Sequence, residues 1–378
     1  MKAKRAEANK SEILYVGVDV DDKAFHIAGL SVTTGELLEY TCKPTHGALV
    51  ERLKKMEEKG YQVKVCYEAT YLGYSLCRQL KASGYDCEII APSLIPVQKS
   101  VRVKTDKIDS RKLAEYYGKG LLTKIHVPDE QDEQLRRLIR TRGFHVQLRK
   151  MLKQHILSTC RVLGLQYRSG EKSEAEYWTK IHQQWLLDQT KELNEIDSWS
   201  LEKMLHDLIH ADQLISQYDQ KIEEMSQTEK YKVRSLGLTA FKGIKTLSAM
   251  TLISEIGDIQ RFGHPSKLVS YAGMDIVEYS SGGKEKKFGM TKAGNRHIRT
   301  AVIEACQSIK SGTTISKQLR NRRKEIPTEI VDIAERCQNR LYKKKTKMTY
   351  NHKHANVIKS ACAREMLCFI WEALQKVA

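Results

Sequence analysis

The chain has 378 residues, 29% of them charged and 41% hydrophobic, with a formal net charge of +18. A cationic surplus of that size attracts polyanions, because each phosphate neutralised by Lys or Arg releases condensed counterions. No apolar run approaches the roughly 20 residues of a spanning helix, and the basic start, Met1 to Lys10, lacks the apolar stretch of a secretory signal. Nucleic acid is therefore the expected partner and membrane is not.

The first hundred residues alternate strand and helix signals. Leu14 to Val20 is a short Val-rich run suited to a buried strand. Phe25 to Val32 and Leu37 to Cys42 are the next two strands, turned by Thr33-Thr34-Gly35. Leu49 to Lys59 has helical spacing with a stop at Gly60, and Val63 to Tyr67 returns to strand. A helix over Tyr71 to Ala82 then stops at Gly84, and Cys87 to Ala91 makes a fifth strand. This is the element order of an RNase H-like sheet, an order that other α/β folds also produce.

From Glu130 the texture becomes helical. Charged stretches to about Leu163, and from about Leu186 to Lys232, carry Leu, Ile and Met every three or four residues, the pattern of a paired, coiled-coil arm. Polar residues Gln166 to Glu174 form its turn. Near Thr239 a third part begins, in which Gly243-Ile244 and Glu255-Ile256-Gly257-Asp258 bracket an apolar helix in the manner of a helix-hairpin-helix. A basic helical region follows from about Ile330 and ends in an apolar helix from Asn356 to Ala373. The expected fold is α/β followed by all-α, divided at 1–128, 129–235 and 236–378.

Nine cysteines at irregular spacing, with no Cys-x-x-Cys pair, argue against a disulfide scaffold or a structural zinc. They are expected as small buried hydrophobes in a reducing cytoplasm.

Four carboxylates make chemical sense together. Asp19 sits inside the apolar run Val16-Gly17-Val18-Asp19-Val20, where an acid is costly unless it meets a cation. Glu68 ends the fourth strand, which an RNase H-like sheet places beside the first. Asp106 and Asp109 open a helix three residues apart and so share one face. Four hard oxygen donors suit Mg²⁺ or Mn²⁺, and two such ions support in-line phosphoryl transfer. Asp21 and Asp22 are assigned to the turn after the first strand.

Residues 273 to 300 place Ser280 and Ser281 among glycines, with Lys284, Lys286, Lys287, Lys292, Arg296 and Arg299 following. Glycines let backbone approach a phosphate and the cations neutralise it, so the segment is expected as a phosphate-gripping loop. Phosphate contacts are also expected from Lys99, Arg102, Lys104, Arg136, Arg137, Arg140, Arg142, Arg149 and Lys150, and from the run Lys343-Lys344-Lys345 with Lys347. His352 and His354 have no Cys or carboxylate close by and are expected at the surface.

Nearly the whole chain resembles the DEDD-type insertion-sequence transposases, the IS-one-ten family of bridge-RNA-guided recombinases. Gly17-Val18-Asp19-Val20, Tyr67-Glu68-Ala69 and Lys104-Thr105-Asp106-Lys107-Ile108-Asp109-Ser110-Arg111 match its RuvC-like half. Glu255-Ile256-Gly257-Asp258, Tyr271-Ala272-Gly273-Met274, Ser280-Ser281-Gly282-Gly283-Lys284 and Thr291-Lys292-Ala293-Gly294-Asn295-Arg296-His297 match its transposase half. The chain departs at Ile276, where relatives often carry proline, which leaves the serine register intact.

The resemblance implies that Asp19, Glu68, Asp106 and Asp109 bind the metal and that Ser281 is the nucleophile, with Ser280 second. It implies a covalent phosphoserine link to DNA, donor and target duplexes, a structured guide RNA, and a homodimer or tetramer in a bacterial or archaeal cytoplasm, associated with the nucleoid. The competing readings are a RuvC-like structure-specific nuclease that uses water in place of serine, and a non-enzymatic RNA-binding scaffold.

Overall fold

The computed structural model describes residues 12–96, 106–168, 175–281, 284–311 and 314–377. Within these, the side chains of 106–107, 279–281, 284–288 and 310–311 lie outside the described residues. The chain divides into two compact units, Met1–Pro128 and Asp129–Ala378.

The first unit is a five-stranded sheet built from β1 (Glu12–Val20), β2 (Phe25–Ser31), β3 (Leu37–Cys42), β4 (Tyr61–Glu68) and β5 (Asp86–Ile90), in the order β3-β2-β1-β4-β5. The first three strands are antiparallel, while β4 and β5 run parallel to β1. The first and fourth strands are neighbours, as the reading of the carboxylates requires.

Both faces of the sheet are covered. On one, Leu14, Val16 and Val18 join α1 (His46–Glu57) and α2 (Ser75–Ala82) in a core with Leu49, Leu53, Met56, Leu76 and Leu80. Each such side chain contributes roughly 1.5–3 kcal/mol by leaving water. On the other, α3 (Asp106–Gly118) packs on β1, with Tyr15 edge-on to Tyr117 at 5.5 Å. The alternation between Val16 or Val18 and Tyr15 or Gly17 reflects the two-residue period of a strand.

The expected helix over Tyr71 to Ala82 begins later, at Ser75. The buried Tyr67 hydroxyl accepts from the Cys77 amide at 3.1 Å and donates to the Gly73 carbonyl at 3.3 Å. Gly73, at φ 59°, breaks the helical path there.

In the second unit, α4 (Glu130–Val162) and α6 (Glu195–Ser226) are helices of 33 and 32 residues. Asp129 caps α4 by accepting from the Asp132 amide, and acids fill its first turn. Arg142 pairs with Asp219 and Arg149 with Asp212, each at 2.9 Å. Seven residues forward on one helix are seven back on the other, which is an antiparallel pair. The second helical stretch is broken into α5 (Lys180–Thr190), α6 and α7 (Glu229–Leu238), because Asn194 caps α6 through the Asp197 amide and Thr228 opens α7.

The main core of this unit combines α4, α6 and α7 with α8 (Thr246–Ile256), α9 (Pro265–Tyr271), α10 (Arg296–Cys306), α12 (Thr328–Tyr350) and α13 (Ala355–Lys376), with the short α11 (Lys317–Arg323) alongside. A two-stranded sheet, β6 (Ile276–Ser281) and β7 (Lys284–Met290), lies between α9 and α10 in the chain. Among the described residues no helix is long and apolar enough to cross a membrane. Eight of the nine cysteines are buried and all are unpaired, as expected of small core hydrophobes.

Candidate active site

The register of β1 and β4 is constant, from Glu12 beside Tyr61 to Val18 beside Tyr67. The next pair in that register is Asp19 with Glu68, and parallel pleating sends both side chains to one face. Gly17, two residues earlier, identifies that face. A Cβ there would lie 2.3 Å from the Ser110 carbonyl oxygen and 2.6 Å from the Ala114 amide, so α3 lies directly on the strand.

The helix also has a direction. A Cβ on Gly118 would meet Tyr15, whereas Gly17 meets Ser110 and Ala114. Two strand residues advance about 6.6 Å and one helical turn about 5.4 Å, so the two elements stay nearly in step. One step further brings Asp19 level with the first turn of α3, which holds Asp106 and Asp109. Arg111 fixes the helix laterally, donating from Nε and Nη2 to the two carboxylate oxygens of Glu39 on β3 at 2.5 and 2.6 Å.

Asp19, Glu68 and Asp109 are all half-buried at this end of the sheet, and the Asp106 side chain lies outside the described residues. Among the described residues no group of three or more His, Cys, Asp or Glu side chains is drawn tightly enough to hold an ion. The backbone thus brings Asp19, Glu68 and the amino-terminal turn of α3 to one face of the sheet. Asp21 accepts from the Lys23 amide at 2.9 Å and belongs to the turn, as expected. Asp22 accepts from the Tyr71 hydroxyl, tying the turn after β1 to the loop after β4 and pushing the phenol up to about 12.

His26 was not evident from sequence. It faces Asp19 across the antiparallel pair β1–β2, and its Nδ1 lies 3.4 Å from Thr41 Oγ1. Only the register of two hairpin strands could have located it.

The serine segment is not the expected loop. Its backbone forms a hairpin in which Ser281, the last residue of β6, pairs with Lys284, and Ser280 pairs with Glu285. The side chains of Ser280, Ser281 and Lys284, and the whole of Lys99, Arg102 and Lys104, lie outside the described residues. The Thr291 amide donates to the Asp275 carbonyl and the Lys292 amide to that of Gly273, closing the base of the hairpin.

The transposase-half motifs meet beneath this hairpin. Glu255, 1% exposed, receives Arg140 in a two-pronged bond at 2.9 and 3.0 Å and the Asn295 amide group at 2.7 Å. Arg136, 7% exposed, donates to the Ser254 carbonyl. Burial pushes the Glu255 carboxyl up, and the bonds from Arg140 and Asn295 outweigh it, leaving the group below its ordinary value. His297 is held below its ordinary value, by burial first, with Glu255 opposing that and Arg140 adding to it.

Asn295 also caps α10, accepting from the His297 and Ile298 amides. Gly294 and Gly273 interlock here: a Cβ on Gly294 would lie 2.5 Å from the Gly273 nitrogen. Lys292, at φ 55°, turns the chain into this cap with an exposed side chain.

Several cations expected on phosphate have internal partners. Arg136, Arg140, Arg142 and Arg149 do so as described above, and Arg137 binds Glu133 at 2.5 Å. Arg299 donates to the Ala272 carbonyl at 2.7 Å. Within α12, Lys344 binds Glu365 at 2.7 Å and Lys345 reaches the Ile309 carbonyl at 3.3 Å. Lys150, Lys292 and Arg296 are exposed, as are His352 and His354.

Between α7 and α8, Gly243 at φ 95° abuts the Ala305 carbonyl, and the α8 amides begin after Lys245 with no side-chain cap. Lys242, Lys245 and Arg322 line a cleft of about 800 Å³ there.

Two family models match the chain. One, described as a DEDD transposase of the IS110 type, covers residues 16–162, and the other, described as the transposase IS116/IS110/IS902 family, covers residues 237–320. A putative transposase, y4qE, of Sinorhizobium fredii is 30% identical over 97% of this chain and 90% of its own length. The transposase for insertion sequence element IS1533 of Leptospira borgpetersenii is 29% identical, covering 88% and 95%. That for IS1111A of Coxiella burnetii is 21% identical, covering 81% and 80%. The first model spans the strand and helix that carry the acids, the second spans Glu255, Asn295 and the serine hairpin, and the relatives run the length of both units: the chain belongs to the IS110 family of insertion-sequence transposases, enzymes that cleave and rejoin DNA.

Proposed function

We propose that this transposase uses Asp19, Glu68, Asp106 and Asp109 as a divalent-metal site in an RNase H/RuvC-like domain, and Ser281 as the nucleophile that joins it covalently to DNA. The observation that carries the reading is the register of β1 and β4, which aligns Asp19 with Glu68 under the amino-terminal turn of α3. The donor set fits a hard cation: all four groups are carboxylates, and Mg²⁺ or Mn²⁺ prefers oxygen. When bound, the metal supplies charge neutralisation at the scissile phosphate and lowers the barrier to deprotonating the attacking hydroxyl.

The chain's own groups do the rest. The Ser281 hydroxyl gives up its proton as its oxygen forms a bond to phosphorus and one backbone P–O bond breaks, and the departing sugar oxygen takes up a proton. Rejoining reverses these events on a new strand. The hairpin base and the Glu255–Asn295 network hold Ser281 in place, and the arm over 129–235 is the natural assembly element for a dimer or tetramer. The uncapped amides at the start of α8, with Lys242 and Lys245, suit a helix-hairpin-helix grip on a phosphate. The charge of +18 suits holding donor DNA, target DNA and a structured guide RNA together.

Covalent trapping tests this reading. Protein, labelled donor and target DNA and the RNA from the element's own end are mixed with Mg²⁺, denatured and resolved by size. A labelled protein–DNA adduct that is lost in Ser281→Ala and in Asp19→Asn is expected. Cleaved DNA without an adduct, unaffected by Ser281→Ala, would instead establish a water-using nuclease.

A further inference from the structure

At the far end of the arm, where α4 gives way to α5, aromatic side chains gather around one histidine. His182 is fully buried, and its ring lies 4.5 Å from that of Tyr167, 5.1 Å from Tyr177, 5.2 Å from Trp178 and 5.8 Å from Trp185. Its Nδ1 accepts from the Trp178 amide at 3.1 Å, which places the proton of the neutral ring on Nε2. Burial, with Arg168 reinforcing it, holds this imidazole below its ordinary pKa, so the neutral form dominates.

That Nε2 has no hydrogen-bond partner among the described residues. A buried N–H left unmade carries the full cost of its lost hydration, and such a cost invites a functional explanation. His182 lines a cavity of about 240 Å³ together with Tyr167, Tyr177 and Trp185. Arg161 and Arg168 stand exposed at the same cavity, with the Arg168 guanidinium 4.2 Å over the Tyr177 ring. Among the described residues no carboxylate pairs with either arginine.

We propose that this cavity binds one unstacked base of a single-stranded nucleic acid, held between aromatic rings, with a base acceptor on His182 Nε2 and the adjoining phosphate on Arg161 and Arg168. The volume suits one planar ring system and falls below the roughly 300–1,000 Å³ of whole-cofactor or drug-sized sites. Aromatic stacking combined with exposed cations is the means by which proteins hold single strands, and a duplex, whose bases are stacked and paired, cannot enter. The site lies apart from the serine hairpin, and its test does not depend on cleavage.

The test uses full-length protein and a fluorescein-labelled pentauridylate, its deoxy counterpart and a duplex of equal length, read by fluorescence anisotropy. Stacking on a ring is worth enough that Tyr177→Ala weakens both single strands roughly tenfold, while Arg161→Ala with Arg168→Ala also flattens the salt dependence. A preference for the ribose strand assigns RNA as the occupant, and equal affinity assigns any single strand. Because aromatic variants can loosen the arm, a 4-thiouridine pentamer is also photocrosslinked to the unaltered protein and the attachment sites are mapped. Crosslinks within residues 161–185 are the expected result. Crosslinks only elsewhere, or a Tyr177→Ala variant of unchanged circular dichroism and unchanged affinity, overturn the proposal.

Discussion

Gly17→Ala is the smallest change that separates the fold from the chemistry. The added Cβ would sit 2.3 Å from the Ser110 carbonyl oxygen, 2.6 Å from the Ala114 amide nitrogen and 2.7 Å from the Leu113 Cβ. Ordinary van der Waals contact begins at 3.4 Å, so α3 must retreat about 1.1 Å from β1. The obstructing atoms are mostly helix backbone, so no side-chain rotation relieves the clash. Overpacking of this kind costs about 1–3 kcal/mol, which a unit of this size survives as a fall of several degrees in Tm. The chemical cost is larger, because α3 carries Asp106 and Asp109 while β1 carries Asp19. A misplacement of about 1 Å between reacting groups can cost on the order of 100-fold in rate. Metal-dependent DNA cleavage, measured beside a thermal melt, is therefore expected to fall far more than stability does. A Gly17→Ala protein with an unchanged Tm and full cleavage would falsify the packing argument and, with it, the placement of the acids.

Three further outcomes are expected. Asp19→Asn and Glu68→Gln should each abolish cleavage and weaken Mn²⁺ binding in calorimetry, and retained Mn²⁺ affinity in both would count against a metal site at this end of the sheet. Arg111→Met removes the two-pronged tether from α3 to β3, so the Mg²⁺ concentration for half-maximal cleavage should rise while the melt barely moves; an unaltered Mg²⁺ dependence would show that the tether is idle. Glu255→Gln breaks a buried pair at about 3 kcal/mol, the low end of the usual range because Arg140 is half exposed. The Glu255 carboxyl lies below its ordinary value in the folded chain. Its contribution is therefore present above the unfolded carboxylate range and is lost as pH falls through the folded value. The gap in Tm between wild type and Glu255→Gln should accordingly be widest near neutrality and close on acidification; a gap that is constant with pH would mean the carboxylate charge plays no part.

The strand order of the first unit was legible because each strand carries its own signal. A Val-rich run bounded by turn residues suits a buried strand, and an acid within one is costly unless it meets a cation. The arm was legible for a similar reason, since apolar spacing persists over thirty residues. Its second half was misread as one continuous helix because capping is a contest between neighbours. Asn194, three residues before Asp197, and Thr228 before Glu229 are cap signals visible in the sequence, yet the apolar spacing continues past them. The serine segment was misread as a loop on its glycines and lysines. Val277 and Tyr279, with Phe288 further on, carry the alternation of a pair of strands, and Gly282-Gly283 between them is a two-glycine turn signal in the sequence.

The arginines show where sequence reading reaches its limit. Arg140, Arg142 and Arg149 look the same in sequence as arginines that grip phosphate. What separates them is a partner 115, 77 or 63 residues away. For Arg142 and Arg149 the partner was recoverable in principle, because an antiparallel pair of helices fixes the sum of paired positions, and 142 with 219 obeys the same sum as 149 with 212. Arg140 obeys no such rule, because Glu255 sits on a different helix at an angle set by the packed core. The charge that first pointed to nucleic acid therefore includes cations spent on holding the arm and the serine hairpin together. The surface that meets polyanions must be sought among side chains that pair with no carboxylate among the described residues, such as Lys150, Lys292, Arg296, Arg161 and Arg168. Of these, Arg161 and Arg168 stand at a cavity lined by His182, whose Nε2 has no hydrogen-bond partner among the described residues, and a phosphate there would come with its base.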